Sequence, residues 1–248
     1  MQRAEGKIMT FDVAVIFDNW SLFARGTIFT IIIALAAVFV GFVVAIPVAL
    51  MALSHRLTLR WLSTAYVEWF RNVPFIVVLY LFFYGLPLLN VRLPEAVVGA
   101  IALAFFASSY FAEIIRGAIL AVPKGQMEAA RAIGMSYFQG LWEIVAPQTV
   151  RLLLPPSTNT SISMVKETSV LSTITVAELT YQGLVVQGET FAPFEVFLTT
   201  AAIYWAVTAV LAQLLRRAES AFGAAQGAHH SRPSLADKYL LIGERRPA

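Results

Sequence analysis

The chain has no cysteine and only three histidines, His55, His229 and His230. A disulfide scaffold, a thiolate metal site and a cysteine nucleophile are therefore excluded. No H-E-x-x-H or other histidine-based metal spacing occurs. No G-x-x-x-x-G-K-[ST] stretch is present, so the chain lacks the loop that cradles ATP phosphates. Charge is scarce as well. Only 13% of the 248 residues are Asp, Glu, Lys or Arg, about half the share in an average soluble domain. Glu5 and the want of a small-residue cleavage site after a short apolar run argue against a cleavable signal peptide.

What fills the chain instead is apolar: 58% of residues, with a mean hydropathy of +0.72. That balance points to a polytopic membrane protein rather than a water-soluble globule. The net charge of +3 is read as an orientation signal, and no nucleic-acid footprint is inferred from it.

Charge-free windows place the crossings. Arg25 and His55 enclose 29 uncharged residues, Arg71 and Arg92 enclose 20, and Glu195 and Arg216 enclose 20. The window between Glu95 and Glu113 has 17 and gains length by running on to about Leu120. A spanning helix needs about 20 mostly apolar residues. These four windows are spans 1, 2, 5 and 3. Positive charge follows span 1 (His55, Arg56, Arg60), span 3 (Arg116, Lys124, Arg131) and span 5 (Arg216, Arg217, Arg232, Lys238). All three segments are placed in the cytoplasm. The stretch before span 5 carries Glu189 and Glu195 without Lys or Arg, and is placed outside. One more crossing must then lie between Arg131 and Glu189, best at 147–165. Pro155, Pro156 and the run from Ser157 to Ser161 make it a poor lipid-facing helix; such residues suit a helix facing protein or a water-filled cavity. The expected fold is an all-α polytopic membrane protein with five transmembrane helices, its N-terminus outside and its C-terminus cytoplasmic.

Ala37, Gly41, Ala45 and Ala49 in span 1, and Ala96, Ala100, Ala104, Ser108 and Ala112 in span 3, recur at four-residue steps. Small-residue rows of this kind let helices approach closely in lipid, within one bundle or between subunits. Residues 11–25, with Phe11, Ile16, Phe17 and Trp20 among Asp12 and Asp18, read as an interfacial amphipathic helix. The expected domains are an N-terminal tail with that helix at 1–25, a transmembrane domain at 26–217 and a flexible cytoplasmic tail at 218–248, in which 235–242 could dock as a short helix.

The loop between spans 3 and 4 is too polar for the membrane and too patterned for a linker. Gly125 opens a turn, Glu128 is expected in the first turn of a short helix, Ala129 and Ala130 present almost no side chain, and Gly134 fits a helix stop. The bland reading is a capped helical hairpin. A short, small-faced helix also suits insertion into a cleft of another protein.

Here the sequence resembles a known family. Glu128-Ala129-Ala130, then Gly134, Ile144 and Pro147, is similar to the EAA loop of permeases in ATP-binding-cassette (ABC) importers, with Ala146 departing from the usual leucine. A wider pattern resembles the polar amino-acid permease family. It includes Gly26, Thr30, Glu68, Arg71, Pro74, Tyr110, Glu113, Arg116, Val122 to Gln126, Gln148, Pro155, Asn159, Lys166, Thr168-Ser169 and Ala177-Glu178-Leu179. It covers about residues 10–217. Family members often carry Gln four residues after the span 2 proline, where this chain has Val78.

The resemblance implies a transport subunit, not an enzyme, in a bacterial inner membrane. Two permease subunits, identical or paralogous, would form the pore. A periplasmic solute-binding protein would deliver a polar amino acid or related zwitterion. Partner ATPase subunits would bind ATP and Mg, with no cofactor and no metal in this chain. The coupling residues it implies are Gly125, Gln126, Glu128, Ala129, Ala130, Gly134 and Pro147.

Ionisable residues at membrane depth usually pair or line a cavity. Glu113 and Arg116 share one face, with Tyr110 one turn deeper. They read either as an intrahelical ion pair or as groups meeting the solute's amino and carboxylate ends. Glu68 and Arg71 read as a structural or gate pair at the inner mouth. Lys166, Glu167 and Glu178 flank the polar stretch 168–175, which begins with Thr168 and Ser169; a broken helix there would free backbone groups for solute. Asn159, Thr160 and Ser161 are alternative lining groups, and for Asn159, Thr168 and Ser169 interhelical hydrogen bonding is the competing reading. A stand-alone ion-coupled secondary transporter is the alternative function. It would be expected to show duplicated halves, which this sequence lacks. A membrane enzyme would need clustered catalytic groups, and none is seen.

Overall fold

A computed structural model describes residues 11–227, with side chains to residue 220. The expectations for 1–10, for the His229–His230 pair and for 235–242 lie outside these residues. The described chain is helical, with no strand. In order the helices are α1 (Ala14–Asp18), α2 (Trp20–Ala52), α3 (Leu57–Asn72), α4 (Phe75–Leu88), α5 (Glu95–Ala121), α6 (Lys124–Ala132), α7 (Tyr137–Gln139), α8 (Ala146–Glu167), α9 (Leu179–Thr190) and α10 (Pro193–Gly227). A π-helical turn, Gly140–Val145, joins α7 to α8, and a 3-10 stretch, Thr168–Ile174, follows α8.

Three helices, α2, α5 and α10, are long and apolar enough to cross a membrane. Two bent pairs qualify only jointly: α3 with α4 across a 107° bend, and the run from Tyr137 to Ile174 with α9 across a 48° bend. The fold therefore offers three to five candidate spans.

The second of these departs from the expected single helix over 72–91. Val73 is extended (ψ 131°) and Pro74 caps α4, because proline drives its predecessor out of the helical region. Its 14 residues extend about 21 Å, short of the roughly 30 Å hydrocarbon core. Ahead of the bend, α3 is an amphipathic helix that the charge-free windows did not disclose. The interfacial helix at 11–25 also differs. Only α1 stands apart, and α2 already starts at Trp20 and runs through Arg25. Gly26 does not end that helix; it serves as a contact point for α9. At the other end α10 continues to Gly227, past the expected boundary at 217. Alanines at 218, 221, 224 and 225 favour continuation.

The core is the α2–α5 pair. Ala37, Gly41, Ala45 and Ala49 are buried on one side, and Ala104, Ser108 and Ala112 on the other. A Cβ on Gly41 would lie 2.8 Å from the carbonyl oxygen of Ala104, so the two backbones touch. The small-residue rows thus pack within the bundle. Tyr66 on α3 hydrogen-bonds Ser108 at 2.5 Å, and the Ser63 hydroxyl donates to the Val48 carbonyl at 2.8 Å. Interhelical hydrogen bonds in membranes average about 0.6 kcal/mol, so close packing does most of the work and these bonds set register. Thr158 on α8 bonds Glu219 on α10.

Candidate functional site

The loop helix forms where the sequence places it. Pro123 caps it and α6 runs Lys124–Ala132. Glu128 is its fifth residue, hence in the second turn rather than the first, because Pro123 starts the helix ahead of Gly125. Gly134 has φ +89°, a conformation that glycine adopts without steric cost. Its N–H donates to the Arg131 carbonyl, and the Met135 N–H donates to the Ala130 carbonyl, each at 3.1 Å.

The helix has two faces. Ala130 is buried against Gly140, where a Cβ would come within 3.3 Å of the Ala130 methyl and 2.9 Å of the Met127 sulfur. Gly125, Gln126, Glu128 and Ala129 are exposed. Ser136 and Gln139 form a capping box that opens the return helix. Pro147 lies in the first turn of α8, and the Gln148 side-chain amide reaches Gln126 at 3.5 Å while donating to the Ile144 carbonyl at 2.9 Å. The result is a braced knob: one face fastened to the run into α8, the other small-faced and open.

A second constellation lies between α3 and α5. A cleft of about 300 Å³ is lined by Glu68, Arg71, Asn72 and Tyr110. It shares Glu68 and Arg71 with a neighbouring cleft of about 230 Å³ that adds Arg60, Glu113 and Arg116. Both Arg116 Nε and Nη2 donate to the Glu113 carboxylate, at 2.9 and 2.8 Å. The ion-pair reading therefore describes their geometry. Glu68 and Arg71 do not pair. The Glu68 carboxylate accepts from the Asn72 amide at 2.7 Å, and the Arg71 guanidinium lies over the Tyr110 ring at 5.4 Å. Asn72 sits one turn from Glu68 on the same face, while Arg71 finds the ring of the neighbouring helix, an interaction worth about 0.5–2 kcal/mol according to exposure.

The third group lies on α8. Asn159, Ser163 and Lys166 are all exposed, at helical steps of four and three. They form one polar face on a helix that meets the length and hydropathy of a span only together with α9. Thr160 is half-buried at its edge. The Ser169 hydroxyl donates to the Lys166 carbonyl at 2.8 Å. Exposed Thr173 continues the face into the 3-10 stretch. Thr168 does not share it: wholly buried, its hydroxyl donates to the Val165 carbonyl. Ser163 was the residue to add from sequence, and its four-residue spacing from Asn159 is the signal. Neither cleft between α3 and α5 is lined by an α8 residue. Val78 is completely buried, so the position that carries Gln in many resembling sequences faces the core of this chain. Among the described residues no three His, Cys, Asp or Glu side chains converge as metal ligands would.

Comparison with known proteins adds an independent line. The family described as "Binding-protein-dependent transport system inner membrane component" matches residues 37–222. The probable glutamine ABC transporter permease GlnM of Bacillus subtilis is 36% identical over 197 residues, 79% of this chain and 91% of that protein. The octopine transport system permease OccM of Rhizobium meliloti is 37% identical over 215 residues, 83% and 88% of the two chains. A crystal structure titled as an amino acid ABC transporter with histidines superposes with a TM-score of 0.80 at 35% identity, covering 86% of this chain and 99% of that one.

Proposed function

The chain belongs to the family of binding-protein-dependent inner membrane transport components, and from that premise we infer that it is the permease subunit of an ABC importer for a polar amino acid or related zwitterionic solute. Relatives named for glutamine, cystine, nopaline and octopine support the solute class. The observation that carries the reading is the braced knob, α6, which exposes a strip of small residues, Gly125, Ala129 and Ala132, flanked by the exposed polar side chains Lys124, Gln126, Glu128 and Arg131.

In this reading the bundle has five spans, two of them the bent pairs, with the N-terminus outside and the C-terminus in the cytoplasm of a bacterial cell. A second permease subunit completes the pore, and a solute-binding protein delivers cargo from outside. The open face of α6, from Gly125 to Ala129, seats in a cleft of a partner ATPase. Ala130, Gly134 and Pro147 fasten the knob to the chain, so that motion of the ATPase is passed to α8. ATP and Mg bind in the partner, where the hydrolytic chemistry takes place; this chain supplies the path and the lever. The polar face of α8 (Asn159, Thr160, Lys166, with Ser169 at its edge) lines the path, because a polar face at membrane depth needs water or protein beside it. Tyr110, Arg71, Glu68 and the Glu113–Arg116 pair line its inner mouth.

The absence of cysteine supplies a clean test. Ala129→Cys introduces the chain's sole thiol, on the exposed face of α6. A photoactivatable crosslinker there should trap the ATPase subunit in assembled complexes. The same label at Leu35, on the exposed side of α2, should not. Crosslinking to neither, or from Leu35 only, rejects the docking assignment. An ion-coupled carrier acting alone is not favoured by any of the relatives.

A further inference from the structure

The broken span holds a carboxylate that the transport reading does not use. Glu178 is wholly buried between the 3-10 stretch and α9. Its Oε1 accepts from the Tyr181 N–H at 2.8 Å; its Oε2 accepts from the Thr180 N–H at 2.9 Å and the Tyr204 hydroxyl at 2.7 Å. The first two bonds cap α9. The third fastens that cap to α10.

The same end of α9 is fastened to α2. The Leu179 N–H donates to the Thr30 hydroxyl at 3.1 Å, and Thr30 is itself buried. Gly26 lets the α2 backbone come so near that a Cβ there would fall 2.8 Å from the Leu179 Cα. One turn on, a Cβ on Gly183 would meet the Thr200 hydroxyl of α10 at 2.9 Å. The outer half of the broken span is thus clamped to both neighbours.

Immediately before the clamp the chain is unusual. Seven consecutive residues, Thr168–Ile174, are 3-10 helical, whereas runs beyond three or four are uncommon and often mark a hinge. Thr175 then adopts a left-handed conformation at φ +64°, which costs a β-branched residue about 1–2 kcal/mol. Such geometry persists only where the surroundings hold it. Conversion of seven 3-10 residues to α-helix would shorten the stretch by about 3.5 Å and turn one end against the other by about 140°. A turn of that size would swing the α8 face bearing Asn159 and Lys166 relative to the clamped α9.

We propose that the start of α9 is a positioning clamp for transport: Glu178 ties it to α10 through Tyr204 and the Leu179 N–H ties it to α2 through Thr30, so that the stretch Thr168–Ile174 is the joint about which the polar face of α8 turns. The proposal rests on the importer reading for its functional arm alone. The test uses Tyr204→Phe, which removes the tie to α10 and keeps the backbone cap, and Thr30→Val with Thr30→Ser as its hydroxyl-preserving control. The complex is reconstituted with its ATPase and receptor, and two quantities are measured per assembled complex: hydrogen exchange across residues 168–176, and ATP hydrolysed per solute imported. Expected are a rise of tenfold or more in exchange and a severalfold rise in ATP consumed per solute for Tyr204→Phe and Thr30→Val, with Thr30→Ser near wild type. Unchanged exchange and stoichiometry overturn the proposal. So does a fall in assembled complex with both quantities unchanged, which is what a merely structural bond would give. If wild-type complexes import nothing on ATP, the importer reading falls, and the exchange measurement still decides whether the clamp holds the joint.

Discussion

The carbonyl oxygen of Ala104 occupies the space that a side chain on Gly41 would need, 2.8 Å from the position of its Cβ. Since the obstructing atom is backbone, neither helix can yield without shifting α2 against α5. Gly41→Val should cost about 1–3 kcal/mol of overpacking. Thermal unfolding of the purified protein in detergent should show a clear fall in midpoint, while Val43→Ala, on the exposed side of the same helix, should stay near wild type. Equal midpoints for Gly41→Val and wild type would mean that the α2–α5 contact is looser than described.

The Glu113–Arg116 pair predicts a pattern rather than a single loss. Arg116→Met leaves a carboxylate without its bidentate partner in a membrane helix, and Glu113→Gln leaves the guanidinium likewise. Each single change should lower the yield of folded protein more than the double change does. Both side chains are about one-third exposed, so solvent softens the effect. Uptake by the double variant separates the roles: near-normal kinetics mark a structural pair, and a raised KM marks contact with solute.

At the knob, Gly134 and Glu128 should fail in different ways. Gly134→Leu forces a side chain onto a left-handed backbone at a cost of about 1–2 kcal/mol, which the surrounding bundle can absorb. The expected result is a folded permease whose affinity for the ATPase falls at least tenfold. Glu128→Lys reverses charge on the open face and should raise ATP consumed per solute with assembly retained. Normal affinity in the first case or normal stoichiometry in the second would remove α6 from the coupling path.

Much of this was legible in sequence, for physical reasons that differ by element. Long charge-free windows disclosed α2, α5 and α10, because a bilayer demands length and apolarity. Small-residue rows disclosed the α2–α5 face, because close approach demands Gly and Ala. The amphipathic α3 was missed: Arg60, Glu68 and Arg71 interrupt the apolar signal, so the charge-free window opens only at Asn72, beside the 107° bend that separates α3 from α4. The polar residues after α8 marked a place where a break would matter without predicting one, and nothing marked the clamp at Glu178. Its partners Thr30 and Tyr204 are distant in sequence, and no local spacing announces them. Thr168 was misplaced for a related reason. Sequence shows that a residue is polar, and only the fold shows that its hydroxyl is turned back to Val165.

Asn159 supplies the test of the path. Asn159→Leu removes a polar group from the exposed face of α8 without touching a core contact. Folding should be unchanged, and the KM for uptake should rise severalfold with little change in Vmax. Wild-type kinetics would assign Asn159 to packing against another subunit.

The most direct measurement is solute uptake by proteoliposomes containing this permease, its partner ATPase and receptor, with ATP enclosed on the ATPase side and no ion gradient imposed. The account predicts accumulation that requires ATP hydrolysis and disappears when the ATPase is left out. Uptake sustained by a proton or sodium gradient with no ATPase present would contradict it.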